Sequence, residues 1–341
     1  MKFSFNRNQF IVALFSLVIF LLLLNIILSK IYKHTLNHPE KVELFSGEIR
    51  DRFISALHNY GIRNDWVDVN KNDIKFGDSL KYSFKVKVPR DLPIALLLNE
   101  ISNSFQPGEI NSTSRETKSN GTTYMFLSSG GFDKLKTEFD YDPDIRRTSF
   151  TFGFLVYGLN SLDQNTQDQI IRIPELYIAV LAPSKESLEL SKKLKVNDKN
   201  YAVILNNDIK DLDYKLSSSY SPERLKLSIR SILGDFSNPV AYLINGNSGF
   251  SSESSFPFIS KEFEIRNIKF IDINRFNLIE EKGSPIDVAF RQIIDQAKEN
   301  ITELIYISAG NYIQLQPLML EYKKIGYKFV NPSPELSEYL K

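Results

Sequence analysis

The chain of 341 residues contains no cysteine. That excludes disulfides, thiol nucleophiles and thiolate metal sites, but it leaves the compartment open, because disulfide-free proteins occur on both sides of membranes. Histidine is nearly as scarce: His34, His38 and His58 are the only three, and none follows residue 58. A domain built from the rest of the chain therefore has no imidazole for a metal site, a general base or a Ser-His-Asp triad. An excess of either charge is also missing, with 42 basic and 41 acidic side chains and a net charge of +1. Such a balanced surface offers a nucleic-acid backbone no attraction, and no nucleic-acid partner is expected. No phosphate loop or dinucleotide fingerprint occurs, so no cofactor is expected.

What the chain does have is one long apolar run. Phe10 to Ser29 carries no charge and one amide, Asn25. About 20 residues at ~1.5 Å each reach roughly 30 Å, the thickness of a bilayer core. The exit, Leu28-Ser29-Lys30-Ile31-Tyr32, lacks the small-residue pattern of a cleaved signal peptide. The expectation is an N-terminal tail (1–9), an uncleaved transmembrane anchor (10–29) and a polar stalk (30–42). Lys2 and Arg7 favour an inside N-terminus, with the soluble part periplasmic or otherwise extracytoplasmic, although Lys30 and Lys33 sit on the far flank.

Residues 43–140 read as a small α+β domain. Leu44, Phe45, Ile49, Phe53, Ile54 and Leu57 fall at helical spacing, with Gly61 as a stop. Tyr82, Phe84, Val86 and Val88 alternate with polar residues, the mark of a strand with one buried face, which Pro89 ends. Leu92 to Phe105 returns to helical spacing. Tyr124–Ser128 and Leu135–Phe139 are strands joined through Gly130-Gly131, a hairpin signal. Asp140-Tyr141-Asp142-Pro143-Asp144 mimics the start of a calcium loop but lacks its sixth-position glycine and twelfth-position glutamate, and reads as linker.

Residues 150–341 alternate short apolar runs with helical segments. The runs are Phe152–Tyr157, Ile178–Leu181, Ala202–Leu205, Val240–Ile244, Lys269–Ile273, Leu304–Ser308 and Lys328–Val330. The helices are Ser184–Leu194, Pro222–Leu233, Pro257–Glu264, Val288–Asn300 and Leu315–Lys324. This α/β pattern implies βα units around a parallel sheet, in the form of an incomplete or distorted (β/α) barrel. Sites in such folds lie at the carboxyl ends of the strands. Those ends carry Tyr157, Asn206, Asn207, Asp208, Asn245, Asn247, Ser248, Asp272, Ser308 and Asn311. Together they form a candidate polar pocket for a ligand such as a sugar, although Asn, Asp, Ser and Gly are also ordinary turn residues. Asp208 and Asp272 are the one carboxylate pair on offer. Tyr157, Phe250, Phe276 and Tyr312 are the aromatics close enough in sequence either to line a groove or to fill the core.

The order of these segments resembles the divergent branch of the polysaccharide deacetylases, bacterial envelope proteins. Phe154-Leu155-Val156-Tyr157-Gly158 stands where that family has Asp-Asp-Phe-Gly. Tyr177 to Pro183 resembles its second strand, and Ile204-Leu205-Asn206-Asn207 a strand end that carries histidine there. Ile244-Asn245-Gly246-Asn247-Ser248 resembles Asn-His-Met-Gly-Ser, and Phe270-Ile271-Asp272 resembles Phe-Leu-Asp. Ser308-Ala309-Gly310 stands at the late Gly-His-Pro turn, and Phe329-Val330 with Ser333-Pro334-Glu335-Leu336 at the closing strand and Ser-x-Glu-Leu. The resemblance implies a metal held by an Asp and two His, with a further Asp and His as base and acid. Of those positions only Asp272 keeps a group able to do the work; Leu155 and Val156 replace the paired acids. No metal and no catalytic residue are therefore expected. Three functions stay open: a catalytically inactive deacetylase-like module binding cell-wall polysaccharide, peptidoglycan or an envelope protein; an active deacetylase or hydrolase using carboxylates; and a structural membrane-complex subunit with no carbohydrate role.

Overall fold

The computed structural model describes residues 16–22, 24–25, 43–71, 80–117, 121–147, 150–280 and 284–340. Most of the expected anchor lies outside these. The described part of it, 16–22 and 24–25, is helical, and its large apolar side chains are exposed, from 42% at Leu24 to 61% at Phe20. No helix among the described residues is long and apolar enough to cross a membrane. The rest divides into two compact units between Arg146 and Arg147, with Asn59–Gly61 counted in the second.

The first unit holds a five-stranded sheet in the order β1 (Val67–Lys71), β2 (Tyr82–Pro89), β5 (Phe132–Asp142), β4 (Thr123–Ser129), β3 (Asn111–Glu116). Only β2 and β5 are parallel. The alternation in β2 does what the sequence implied: Tyr82, Phe84, Val86 and Val88 are buried. Helices α1 (Ser46–His58) and α2 (Ile94–Asn103) bury their apolar sides, and Phe53 of α1 meets Phe84 and Phe139 with ring centres 4.8 and 6.4 Å apart. Gly130 and Gly131 turn the β4–β5 hairpin at φ of 61° and 86°, a conformation that favours glycine. Two strands were not anticipated. β3 is exposed at every position and β1 at all but one, so neither edge strand shows an apolar period. The linker reading is also corrected for 140–142. β5 runs on to Asp142, where Asp140 accepts from the Thr122 hydroxyl at 2.6 Å and the Tyr141 hydroxyl accepts from the Ile94 N–H at 3.1 Å.

The second unit is an all-parallel sheet: β6 (Thr151–Tyr157), β7 (Ile178–Leu181), β8 (Asn200–Leu205), β9 (Tyr242–Ile244), β10 (Phe270–Asp272), β11 (Asn277–Ile279) and β12 (Thr302–Ser308), with β13 (Lys328–Phe329) beside the start of β6. The helices are α3 (Gln164–Arg172), α4 (Lys185–Val196), α5 (Pro222–Asp235), α6 (Phe256–Glu264), α7 (Ile286–Gln296), α8 (Ala309–Ile325) and α9 (Ser333–Tyr339). Asp163, Ser184, Ser221 and Ser308 accept backbone N–H groups at the starts of α3, α4, α5 and α8, which fixes where those helices begin. The strand order β10-β9-β8-β7-β6-β12-β11 is the chain order wrapped into a ring.

Chain length requires that ring. In a flat sheet β10 and β11 would stand six spacings apart, roughly 29 Å at ~4.8 Å each. Only residues 273–276 join them, a reach of at most ~18 Å. The sheet therefore curls until its end strands come within that reach. Side chains divide accordingly. Phe152, Phe154 and Val156 of β6 face the helices, while Leu155 belongs to an inner cluster with Ile178, Val180, Ala202, Leu243, Ile271, Leu304 and Tyr306. That one cluster joins β10 to β12, and α9 adds Leu336 to it. The architecture is an incomplete (β/α) barrel with a packed interior.

Candidate functional site at the carboxyl ends of the barrel strands

Because all strands of the barrel are parallel, every candidate residue that follows a strand lies at one end of the sheet. Within that end the residues form small separate groups. The densest lies between β9 and β10. One oxygen of Asp272 accepts the Gly246 N–H at 2.9 Å, the Asn274 N–H at 3.0 Å and the Asn274 side-chain amide at 2.7 Å. The Asn274 amide also donates to Asn245 Oδ1 at 3.0 Å, which accepts the Asn247 N–H at the same distance. The Asn245 carbonyl takes the hydroxyls of Ser248 and Ser251 at 2.7 and 3.0 Å. Partial burial pushes the Asp272 carboxyl up, but the Gly246 and Asn274 hydrogen bonds and nearby Arg275 outweigh it and hold the group below its ordinary value. Asp272 is thus an ionised acceptor in use.

The other groups are looser. Asn207 donates to Glu253 at 3.3 Å, and Asp208 is exposed. The Asn206 side-chain oxygen is buried without a hydrogen-bond partner among the described residues. Ser308, 2% exposed, accepts the Asn311 N–H at 3.3 Å, and the Asn311 amide donates to the Glu280 carbonyl at 3.0 Å, so both build the start of α8. Of the aromatic candidates, Phe250 and Tyr312 are buried in the outer layer and Phe276 in the inner cluster; none of these three lines a groove. Tyr157 differs. Its half-buried ring stacks on Tyr306, centres 4.7 Å apart and planes 13° from parallel, at the carboxyl end of β6. Burial and the neighbouring Tyr157 push the Tyr306 hydroxyl up, so it stays protonated. Sequence reasoning placed Asn274 at the end of its strand beside Asp272 but missed Tyr306, which sits in the middle of an apolar run.

The divalent metal that the family resemblance implies does not fit these residues. Leu155 and Val156 are fully buried, one in each apolar layer. Among the described residues no group of three or more His, Cys, Asp or Glu is placed to hold an ion. The strand ends thus carry separate polar groups and one stacked aromatic pair.

No protein-family model and no curated protein matches the chain. Among solved structures it is similar to a mutant of BA3943, described as a CE4 family pseudoenzyme with restored enzymatic activity, at 13% identity over 72% of this chain and 98% of that one, with a TM-score of 0.37. It is also similar to the polysaccharide deacetylase Bc1974 from Bacillus cereus, at 15% identity over 55% of this chain and 92% of that one, with a TM-score of 0.32. Both likenesses are loose.

Proposed function

We propose that this chain is a membrane-anchored envelope protein whose barrel has the polysaccharide-deacetylase architecture without its chemistry, and binds cell-wall polysaccharide at the carboxyl ends of its strands. The observation that carries this reading is the state of the three acid positions. Two are the buried apolar residues Leu155 and Val156, and the third, Asp272, already accepts three hydrogen bonds. Deacetylation needs a base for the attacking water and an acid for the leaving amine. On this reading Leu155, Val156 and the hydrogen-bonded Asp272 serve as neither. What remains suits binding: the half-exposed Tyr157 ring, on which the apolar face of a sugar can lie, at the same end of the sheet as the amides of the β9 and β10 loops. The exposed apolar side chains of Leu17 to Leu22 and of Leu24 support the anchor. An exported barrel would meet such polysaccharides directly.

The test uses the full chain in mild detergent with insoluble peptidoglycan and chitin. The wild type should co-sediment with at least one of them, and Tyr157→Ala should reduce the bound fraction several-fold while remaining folded by circular dichroism. Failure to sediment with either, or undiminished binding by Tyr157→Ala, removes the polysaccharide reading. Protease added to intact spheroplasts should degrade the barrel. Full protection would reverse the proposed orientation, and a soluble fragment beginning near residue 30 would remove the anchor.

A further inference from the structure

β10 and β11 each run parallel to a neighbour, β9 and β12 respectively, yet only residues 273–276 separate them. A parallel neighbour in a sheet ordinarily needs a crossover of a dozen or more residues to return to the starting edge. Residues 273–276 cannot make that return. β10 and β11 are therefore successive stretches of one path up the barrel wall. That path pairs with β9 over Phe270–Asp272 and with β12 over Asn277–Ile279. Between them the segment is a single 3-10 turn, Ile273–Arg275, outside either ladder. This stretch has no ladder partner, and it links the two ends of the sheet.

We infer that Asp272 is a positioning residue that pins this change of partner and so holds the barrel shut. Its carboxylate stands at the last β10 residue and starts the 3-10 turn by accepting the Asn274 N–H. The same oxygen crosses to the loop after β9 to take the Gly246 N–H, and Asn274 then reaches Asn245. One side chain thus ties the turn to the β9 side at the point where the ladder to β9 ends. Gly246 is part of the device. A Cβ there would run into the Asp272 carboxylate, with its Cγ 2.9 Å away, so only glycine lets the acid approach. The acid at this position thereby has a mechanical role in the barrel wall.

Hydrogen exchange on the full chain in detergent, read by mass spectrometry, tests this. In Asp272→Ala the amides of Asn277–Ile279 should exchange about tenfold faster or more, along with those of 245–250, while Ile178–Leu181 stays protected. A merely local role would release only Gly246 and Asn274, so unchanged exchange in Asn277–Ile279 would overturn the inference. Asp272→Asn keeps the accepting oxygen and should restore most of the protection. Gly246→Ala expels the carboxylate and should reproduce the Asp272→Ala pattern. The two substitutions together should do no more than either alone, and additive effects would also overturn the inference. Should Asp272→Ala not fold, Gly246→Ala and Asp272→Asn carry the same test, with loss of protection expected in the first and near-wild-type exchange in the second.

Discussion

Replacing Leu155 with aspartate restores an acid at the place where the family resemblance puts one, and should break the barrel instead of activating it. Leu155 is 0% exposed, and the inner cluster around it, Ile178, Val180, Ala202, Leu304 and Tyr306 among others, is apolar but for the tyrosine hydroxyl. Removing the leucine forfeits about 1.5–3 kcal/mol of burial. A carboxyl group without a partner there adds about 1–3 kcal/mol even when it takes up a proton to avoid burying a charge. The loss of roughly 2.5–6 kcal/mol is a large part of a typical domain's 5–15. Urea unfolding of the full chain, followed by circular dichroism, should show the barrel transition moved down by roughly 1–3 M. The new carboxyl would have a raised folded pKa, so it would bind its proton in the native state after the unfolded chain has lost its own. The variant's deficit should then deepen as pH rises from about 4 to 7. A midpoint within about 0.3 M of wild type at pH 7 would refute the packed, dry interior at this position.

Gly153→Ala should cost about 1–3 kcal/mol by thermal unfolding, because its Cβ would meet Pro332 Cβ at 2.7 Å and Leu304 Cδ2 at 3.0 Å; a neutral result would show that the contact between β6 and the loop before α9 is loose. For Asp272 the folded pKa lies below the ordinary aspartate value, so its contribution to stability is complete above that value and is lost as pH falls through the folded one. Acid unfolding of Asp272→Asn should therefore have a shallower pH dependence than wild type below about pH 4, and parallel curves would contradict the hydrogen-bonded carboxylate. Lys199, 7% exposed, donates to the Ile173 and Glu175 carbonyls, and burial holds its pKa below the ordinary lysine value despite Glu175. Lys199→Met should leave those two carbonyls without that donor and lower the barrel melting temperature.

How far the sequence could be read depended on which faces each strand shows. β2 has one wet face, and its alternation is explicit from Tyr82 to Val88. β6, β7 and β12 are apolar on both faces, so their existence was plain but their orientation was not; nothing in Leu155-Val156 says that the first faces the lumen and the second the helices. β11 has three residues and one buried side chain, Ile279, too little for any period. α8 starts at Ala309, earlier than the apolar spacing suggested, because Gly310 and Asn311 interrupt that spacing, although Ser308 three residues before Asn311 is a readable cap. At the site, composition located the strand ends. It could not tell which residues are spent on structure: Ser308 and Asn311 build a helix start, and the Asp272–Gly246–Asn274 contacts join two loops 26 residues apart in sequence.

The most direct test of the central claim, a deacetylase-like barrel that binds without reacting, is acetate release. The full chain in detergent is incubated with acetylated chitin oligosaccharides and peptidoglycan fragments, with zinc, cobalt or manganese supplied in excess. The account predicts no acetate above the protein-free control with any of the metals. Metal-dependent release that Asp272→Ala abolishes would contradict it and make the chain an enzyme.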